Sequence, residues 1–253
     1  MDPQTILLYD GSFDGFLCAV FTVYEEKIRL PIIYKETENN NQLFSVTEKI
    51  IPDSLKAQRV WKRFSDKTTR SQQKDFFKAF LSEIKGVENT LLSYMQNIFD
   101  HPSKKDIDYS NKDILKISQV AKMVGREKHR MEAFVRFHLI KENIYVATVS
   151  PDFNVLPLIL HHFKDRYADQ KWVIYDTKRN YGIYYDLNTV EIITLEKLKT
   201  VNSLLYSPQE SDYQTLWNTY YSSVNIKSRK NTKLHLQHLP KRYWKYLVEK
   251  RSI

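Results

Sequence analysis

Two aspartates four residues apart, Asp10 and Asp14, stand within the string YDGSFDG at 9–15. Carboxylates at that spacing suit a divalent cation, which takes oxygen ligands, or general-base work on a water. The string runs from a strand-like segment into a helix-like one, and backbone N–H groups at such a junction can cradle phosphate. It has neither the lysine and spacing of a P-loop nor a G-x-G-x-x-G, so a tight turn with an N-cap competes with both chemistries. His129 is the third candidate, because imidazole titrates near neutrality and can act as an acid or a base. It stands in GREKHRMEAFVRF at 125–137 with the cations Arg126, Lys128, Arg130 and Arg136. Phosphate binding by these cations competes with local pairing to Glu127 and Glu132.

The largest concentration of charge lies further on. From Asn225 to Ile253 there are nine basic residues and one acid, Glu249, so this stretch carries +8 of the chain's formal +9. Tyr213, Trp217, Tyr220, Tyr221, Tyr243, Trp244 and Tyr246 lie in it or just before it. Cations bind phosphate and aromatic faces stack on bases, a combination that points to nucleic acid. The candidate contacts are Arg126, Lys128, Arg130, Arg136, Lys227, Arg229, Lys230, Lys233, Lys241, Arg242 and Lys245. Trp217 and Trp244 sit on apolar stripes, which would dock the segment on a core.

Other chemistries are poorly served. Cys18 is the only cysteine, so an intrachain disulfide and a thiolate zinc or iron–sulfur site are excluded. His161 and His162 are adjacent, and on a helix they point about 100° apart. His235 and His238 have chelating spacing but no third ligand nearby. No metal and no cofactor is expected. The N-terminus MDPQTILLYD has no positive n-region, and no apolar run is long enough to span a membrane. A cytoplasmic protein without membrane contact is expected.

The elements that must position these residues follow from periodicity. Thr5–Tyr9 reads as a buried strand, followed by a helix with Phe13, Phe16, Leu17, Val20, Phe21 and Tyr24 on its apolar side and Ser12 or Asp14 as N-cap. Segment 31–53 is strand-like with a loop at 39–41. Helical stripes follow at 57–64, 76–84 and 91–99, with a helical hairpin over about 70–100 and Gly86 as a C-cap. Ser110 and Asp113 form a capping box for a helix reaching Val124. After Gly125 a β-β-α-β-β pattern spans about 133–186, with strands at 133–139, 144–149, 172–175 and 182–186 and Asn154 capping the helix between them. Two helical pieces follow, 212–223 and one starting at Pro240, joined by a basic link. The reading is an α+β fold with a mixed or antiparallel sheet. Its expected division is a core at 1–205 and a docked basic aromatic helical segment at 206–253.

Four strings carry a resemblance: LLYDGSFDGFLCAVF at 7–21, MVGREKHRMEAFVRF at 123–137, SPDFNVLPLILHHFKDRYADQKWVIYDTKRNYGIYYD at 150–186, and LWNTYYSSVNIKSRKNTKLHLQHLPKRYWKYLVE at 216–249. Together they resemble a bacterial family of DNA-metabolism or DNA-repair proteins encoded beside a radical-SAM DNA-modification or repair protein. A related domain of that family is found fused to uracil-DNA-glycosylase-like domains. The resemblance implies DNA and a radical-SAM enzyme as partners, and it supplies no catalytic residue. One cysteine cannot build the radical-SAM cluster motif, so that chemistry belongs to the partner. Three readings follow: a DNA-binding accessory protein, a stand-alone enzyme on damaged DNA using Asp10, Asp14 and His129, and an adaptor whose cations bind an acidic protein face.

Overall fold

A computed structural model describes residues 4–38, 45–100, 110–194, 207–224 and 231–250. The chain divides into two compact units, Met1–Gly125 and Arg126–Ile253. The boundary expected at 205/206 falls outside the described residues.

In the first unit β1 (Gln4–Tyr9) is central, flanked by β2 (Pro31–Lys35) and β3 (Ser45–Lys49), both parallel to it. A central parallel strand is covered on both faces, which is why TILLY is apolar without alternation. α1 (Phe13–Glu25), α2 (Ser54–Lys67), α3 (Arg70–Phe80) and α4 (Val87–Asp100) supply the rest of this core. Phe13 lies edge-on to Trp61, Phe77 and Phe80 with ring centres 5.0–5.3 Å apart. Phe64 and Phe76 are fully buried beside them. The caps follow the side-chain rules: Ser12 for α1, Asp53 for α2, and a reciprocal Thr69–Gln72 box for α3. The expected hairpin is present as α3 and α4, but α3 ends at Phe80, so Gly86 precedes α4 instead of capping α3. Asn111, not Ser110, caps α5 (Lys112–Phe134) by accepting from Asp113 N at 2.9 Å.

α5 runs through Gly125, where a change to β structure was expected. A mid-helix glycine costs only ~1 kcal/mol, and Arg126, Glu127, Lys128, Met131, Glu132 and Ala133 are helix formers. Lys128 and Glu132 add an i,i+4 pair at 2.5 Å. Of the strand expected over 133–139 only β4 (His138–Leu139) pairs. The second sheet has the order β4-β5-β6-β7-β8, built with β5 (Tyr145–Val149), β6 (Trp172–Asp176), β7 (Tyr181–Tyr185) and β8 (Val190–Ile193). β5 and β6 are parallel, joined by α6 (Leu156–Arg166), and the other pairings are antiparallel. The fold is α+β as expected, with one parallel and one mixed sheet. Val155 stands at the N-cap of α6 without a side-chain bond, because the Asn154 amide oxygen is taken by the Tyr181 hydroxyl. Towards the C-terminus come α7 (Glu210–Ser223) and α8 (Thr232–His238), the latter inside the expected link. The helix expected from Pro240 is a 3-10 turn, Lys241–Tyr246.

Candidate nucleic-acid interface

The Asp10 turn is held closed by its own residues. Asp10 Oδ1 accepts from Ser12 N at 2.9 Å and from Ser12 Oγ at 2.7 Å, and Ser12 Oγ in turn accepts from Gly15 N at 2.9 Å. Gly11 takes a φ of +89°, a left-handed conformation that glycine adopts at little cost. Gly15 is required by packing: a Cβ there would lie 2.2 Å from Asp10 Oδ1. The carboxylate therefore serves the strand-to-helix turn, and Asp14 lies exposed in the first turn of α1. Among the described residues no group of three or more His, Cys, Asp or Glu could hold a metal ion. Behind the turn, Tyr9 donates to Glu88 at 2.9 Å, a buried pair in which burial raises both acids' pKa values. His129 is exposed on the part of α5 that belongs to the second unit.

In the second unit, buried acids sort the cations. Glu127 is 1% exposed and fully bonded. Its Oε2 accepts from Arg242 at 2.7 Å and from the Tyr243 hydroxyl at 2.5 Å, and its Oε1 accepts from Asp152 N at 3.1 Å. Burial, followed by the bond to Glu127, pushes the Tyr243 phenol up to about 12. Arg242 reaches the Asp152 carboxylate as well. Glu249, the one acid of the basic stretch, is also buried. It accepts from Arg136 at 3.0 Å and from the Trp217 indole at 2.9 Å. Burial alone would raise its pKa; hydrogen bonds from its own backbone, Trp217 and Arg136 outweigh that and hold it below its ordinary value. Glu210 accepts from Leu139 N and meets His138 Nδ1, both at 2.8 Å, which fastens the start of α7 to β4. At the ends of β5 and β6, Arg179 pairs with buried Asp176 at 2.8 Å and donates to the carbonyls of Pro151 and Asp152.

The candidate contacts thus fall into groups. Arg136 and Arg242 are held by buried carboxylates, Lys128 by Glu132, and Arg130 lies 3.9 Å from Glu127. Lys245 lies over the Tyr246 ring at 4.8 Å. Arg126, Lys233 and Lys241 are exposed and have no carboxylate partner among the described residues. Lys227, Arg229 and Lys230 lie outside the described residues. The aromatics divide as well. Tyr243 is buried, and Trp244 donates to Leu239 O at 3.1 Å. α7 leaves its stripe open: Leu216 is 65% exposed and Tyr220 58%, with Tyr213 and Trp217 also exposed. The expected docking of Trp217 by an apolar stripe is corrected to a polar one, through its indole N–H. Asp152, Asp176, Arg179 and Glu210 were not singled out by sequence, and Glu127 only as a local pairing partner of the cations beside it. A lone acid inside a basic run is the signal that marks Glu249.

Among the described residues no helix is long and apolar enough to cross a membrane. Fold and surface together define an α+β protein whose second unit carries 21 basic and 13 acidic residues, a net of +8. The chain belongs to the family described as a domain of unknown function, DUF4130, whose match covers residues 85–249. No curated protein matches it. Among solved structures it is similar to a pGpG-specific phosphodiesterase, PggH, from Vibrio cholerae. The identity is 11%, over 73% of this chain and 81% of that one, with a TM-score of 0.35. A likeness at that level carries no argument about fold or activity.

Proposed function

We propose that this protein is a DNA-binding accessory factor for a radical-SAM DNA repair or modification enzyme, and that its second unit contacts the DNA. One observation carries the reading: the acids that could neutralise the basic stretch are spent inward. Glu127 and Glu249 are buried and hold Arg242 and Arg136. Arg126, Lys233 and Lys241 stay exposed without a carboxylate partner among the described residues. Ordinary surfaces mix signs, so exposed cations without acid partners, in a unit that also exposes the aromatics of α7, suit phosphate contact with base stacking. The pairing with a radical-SAM enzyme is supported by the resemblance of the four strings at 7–21, 123–137, 150–186 and 216–249.

The test is DNA binding by the purified chain and by Arg126→Glu/Lys233→Glu/Lys241→Glu, with and without the neighbouring radical-SAM protein. The reading expects the wild type to bind DNA and to co-purify with the enzyme, and the variant to keep the enzyme but lose DNA. Retained DNA binding by the variant rejects this surface; binding of the enzyme without any DNA binding favours an adaptor.

A further inference from the structure

The first unit holds a groove that none of the candidate residues lines. It encloses about 360 Å³ and is lined by Phe21, Tyr24 and Glu25 of α1, Arg59 and Arg63 of α2, and Phe99 of α4. That volume lies in the range of small-ligand sites, ~300–1,000 Å³. Its walls are aromatic: Tyr24 is 41% exposed and packs on Phe99 with ring centres 5.6 Å apart. Its rim is cationic. The Arg59 guanidinium lies 5.3 Å from the Phe21 ring centre and that of Arg63 lies 4.9 Å from Phe99. Both arginines are exposed and neither has a carboxylate partner among the described residues. Glu25, the acid in the lining, is paired with Lys56 at 3.1 Å.

The charge of this unit is not spread evenly. Residues 54–67 hold five basic side chains and one acid, a net of +4, in a unit whose net charge is only +1. Lys56, Arg59, Arg63 and Lys67 recur at spacings of three and four, so they share one face of α2 over ~16 Å of its axis. A mononucleotide would engage only part of such a row, whereas a strand follows it. Arginines stacked on rings present a flat cationic surface to a further π-face while their N–H edges stay free for phosphate.

We infer that this groove of the first unit takes an unpaired base of a single-stranded nucleic acid against Tyr24, which packs on the buried Phe99, with the strand's phosphates running along Arg59 and Arg63. The site is separate from the surface assigned to the second unit and does not rest on it. The base is flat and apolar on its faces, as the groove requires, and stacking of this kind tolerates any base.

The experiment is fluorescence anisotropy of the full chain with a labelled oligo-dT and with a hairpin duplex. It compares wild type, Tyr24→Ala, Tyr24→Phe and Arg59→Glu/Arg63→Glu, each also in a Lys233→Ala/Lys241→Ala/Lys245→Ala background. Tyr24→Ala should weaken oligo-dT binding roughly 5- to 150-fold and Tyr24→Phe should retain it, because only the ring is needed. The loss should appear in both backgrounds and leave duplex affinity unchanged. The charge-reversed pair alters only exposed side chains, so it reports on the groove even where Tyr24→Ala disturbs folding. Unchanged oligo-dT affinity in both sets of variants overturns the inference, as does an equal loss for duplex. Displacement of oligo-dT by an equimolar amount of dTMP overturns the strand in favour of a mononucleotide. Loss of duplex binding in the lysine background alone speaks only to the second unit.

Discussion

Glu249→Ala is the sharpest test of how the basic stretch is held. The carboxylate is 8% exposed and bonds Arg136 at 3.0 Å and the Trp217 indole at 2.9 Å. Removing one partner of a fully buried ion pair costs about 3–5 kcal/mol. Arg136 is partly open, with 26% of its side chain accessible, and it keeps the Ala133 and Val135 carbonyls. Its share is therefore discounted to about 2 kcal/mol, and the orphaned indole N–H adds about 1 kcal/mol. The expected loss is about 3 kcal/mol, which for a unit of this size lowers Tm by roughly 10 °C. Glu249→Gln keeps an acceptor and should lose about half as much. The assay is urea unfolding followed by tryptophan fluorescence in a Trp61→Phe background, which leaves Trp172, Trp217 and Trp244, all in the second unit.

The pH dependence supplies a second readout of the same variant. Because the folded carboxyl sits below its ordinary 4.5, its contribution is full above that value and is lost as pH falls through the folded pKa. The gap between wild type and Glu249→Gln should therefore close in acid. A loss under about 0.5 kcal/mol at pH 7, within the range of ordinary surface changes, would refute the reasoning.

Glu88 predicts the opposite sign in the first unit. Burial raises its carboxyl above 4.5, so wild type should lose stability relative to Glu88→Gln as pH rises above 4.5, seen in thermal melts across pH 4–8. Gly15→Ala forces a Cβ to 2.2 Å from Asp10 Oδ1 and should cost about 1–3 kcal/mol by urea titration. The cost should shrink in an Asp10→Ala background, where the clashing oxygens are gone; equal costs in both backgrounds would discard the clash. Glu210→Ala strips Leu139 N and His138 of their acceptor, and hydrogen exchange at the start of α7 should accelerate at least tenfold.

Much of the fold was legible because periodicity and turn chemistry agreed. TILLY, the Phe13–Tyr24 helix, the α3–α4 hairpin and β5-α6-β6-β7 all emerged from apolar spacing. The misses have both local and tertiary causes. Gly125 reads as a break, but helix formers on both sides carry α5 through it. β8 was missed because Glu191 and Ile192, on opposite faces of an edge strand, are both exposed and give no core signal. Asn154 has cap chemistry, yet a bond from Tyr181 across the sheet claims it. The candidate site was legible as charge but not as geometry. Sequence counts Arg136, Arg242 and Lys233 alike, and only burial shows that Glu249 and Glu127 withdraw the first two. The groove was invisible because its rings lie on two helices, α1 and α4, and in each stripe they read as core.

The central claim is that exposed cations of the second unit bind DNA phosphate, and the most direct measurement is the salt dependence of DNA affinity. Each phosphate contact to duplex DNA contributes a slope of about −0.9 in log K against log salt. Replacing Arg126, Lys233 and Lys241 with alanine should therefore flatten the slope by up to about 2.7, while Arg136→Ala and Arg242→Ala, whose guanidinia face buried acids, should leave it nearly unchanged. Identical slopes for wild type and the triple variant, or a flat response in the wild type, would contradict the account.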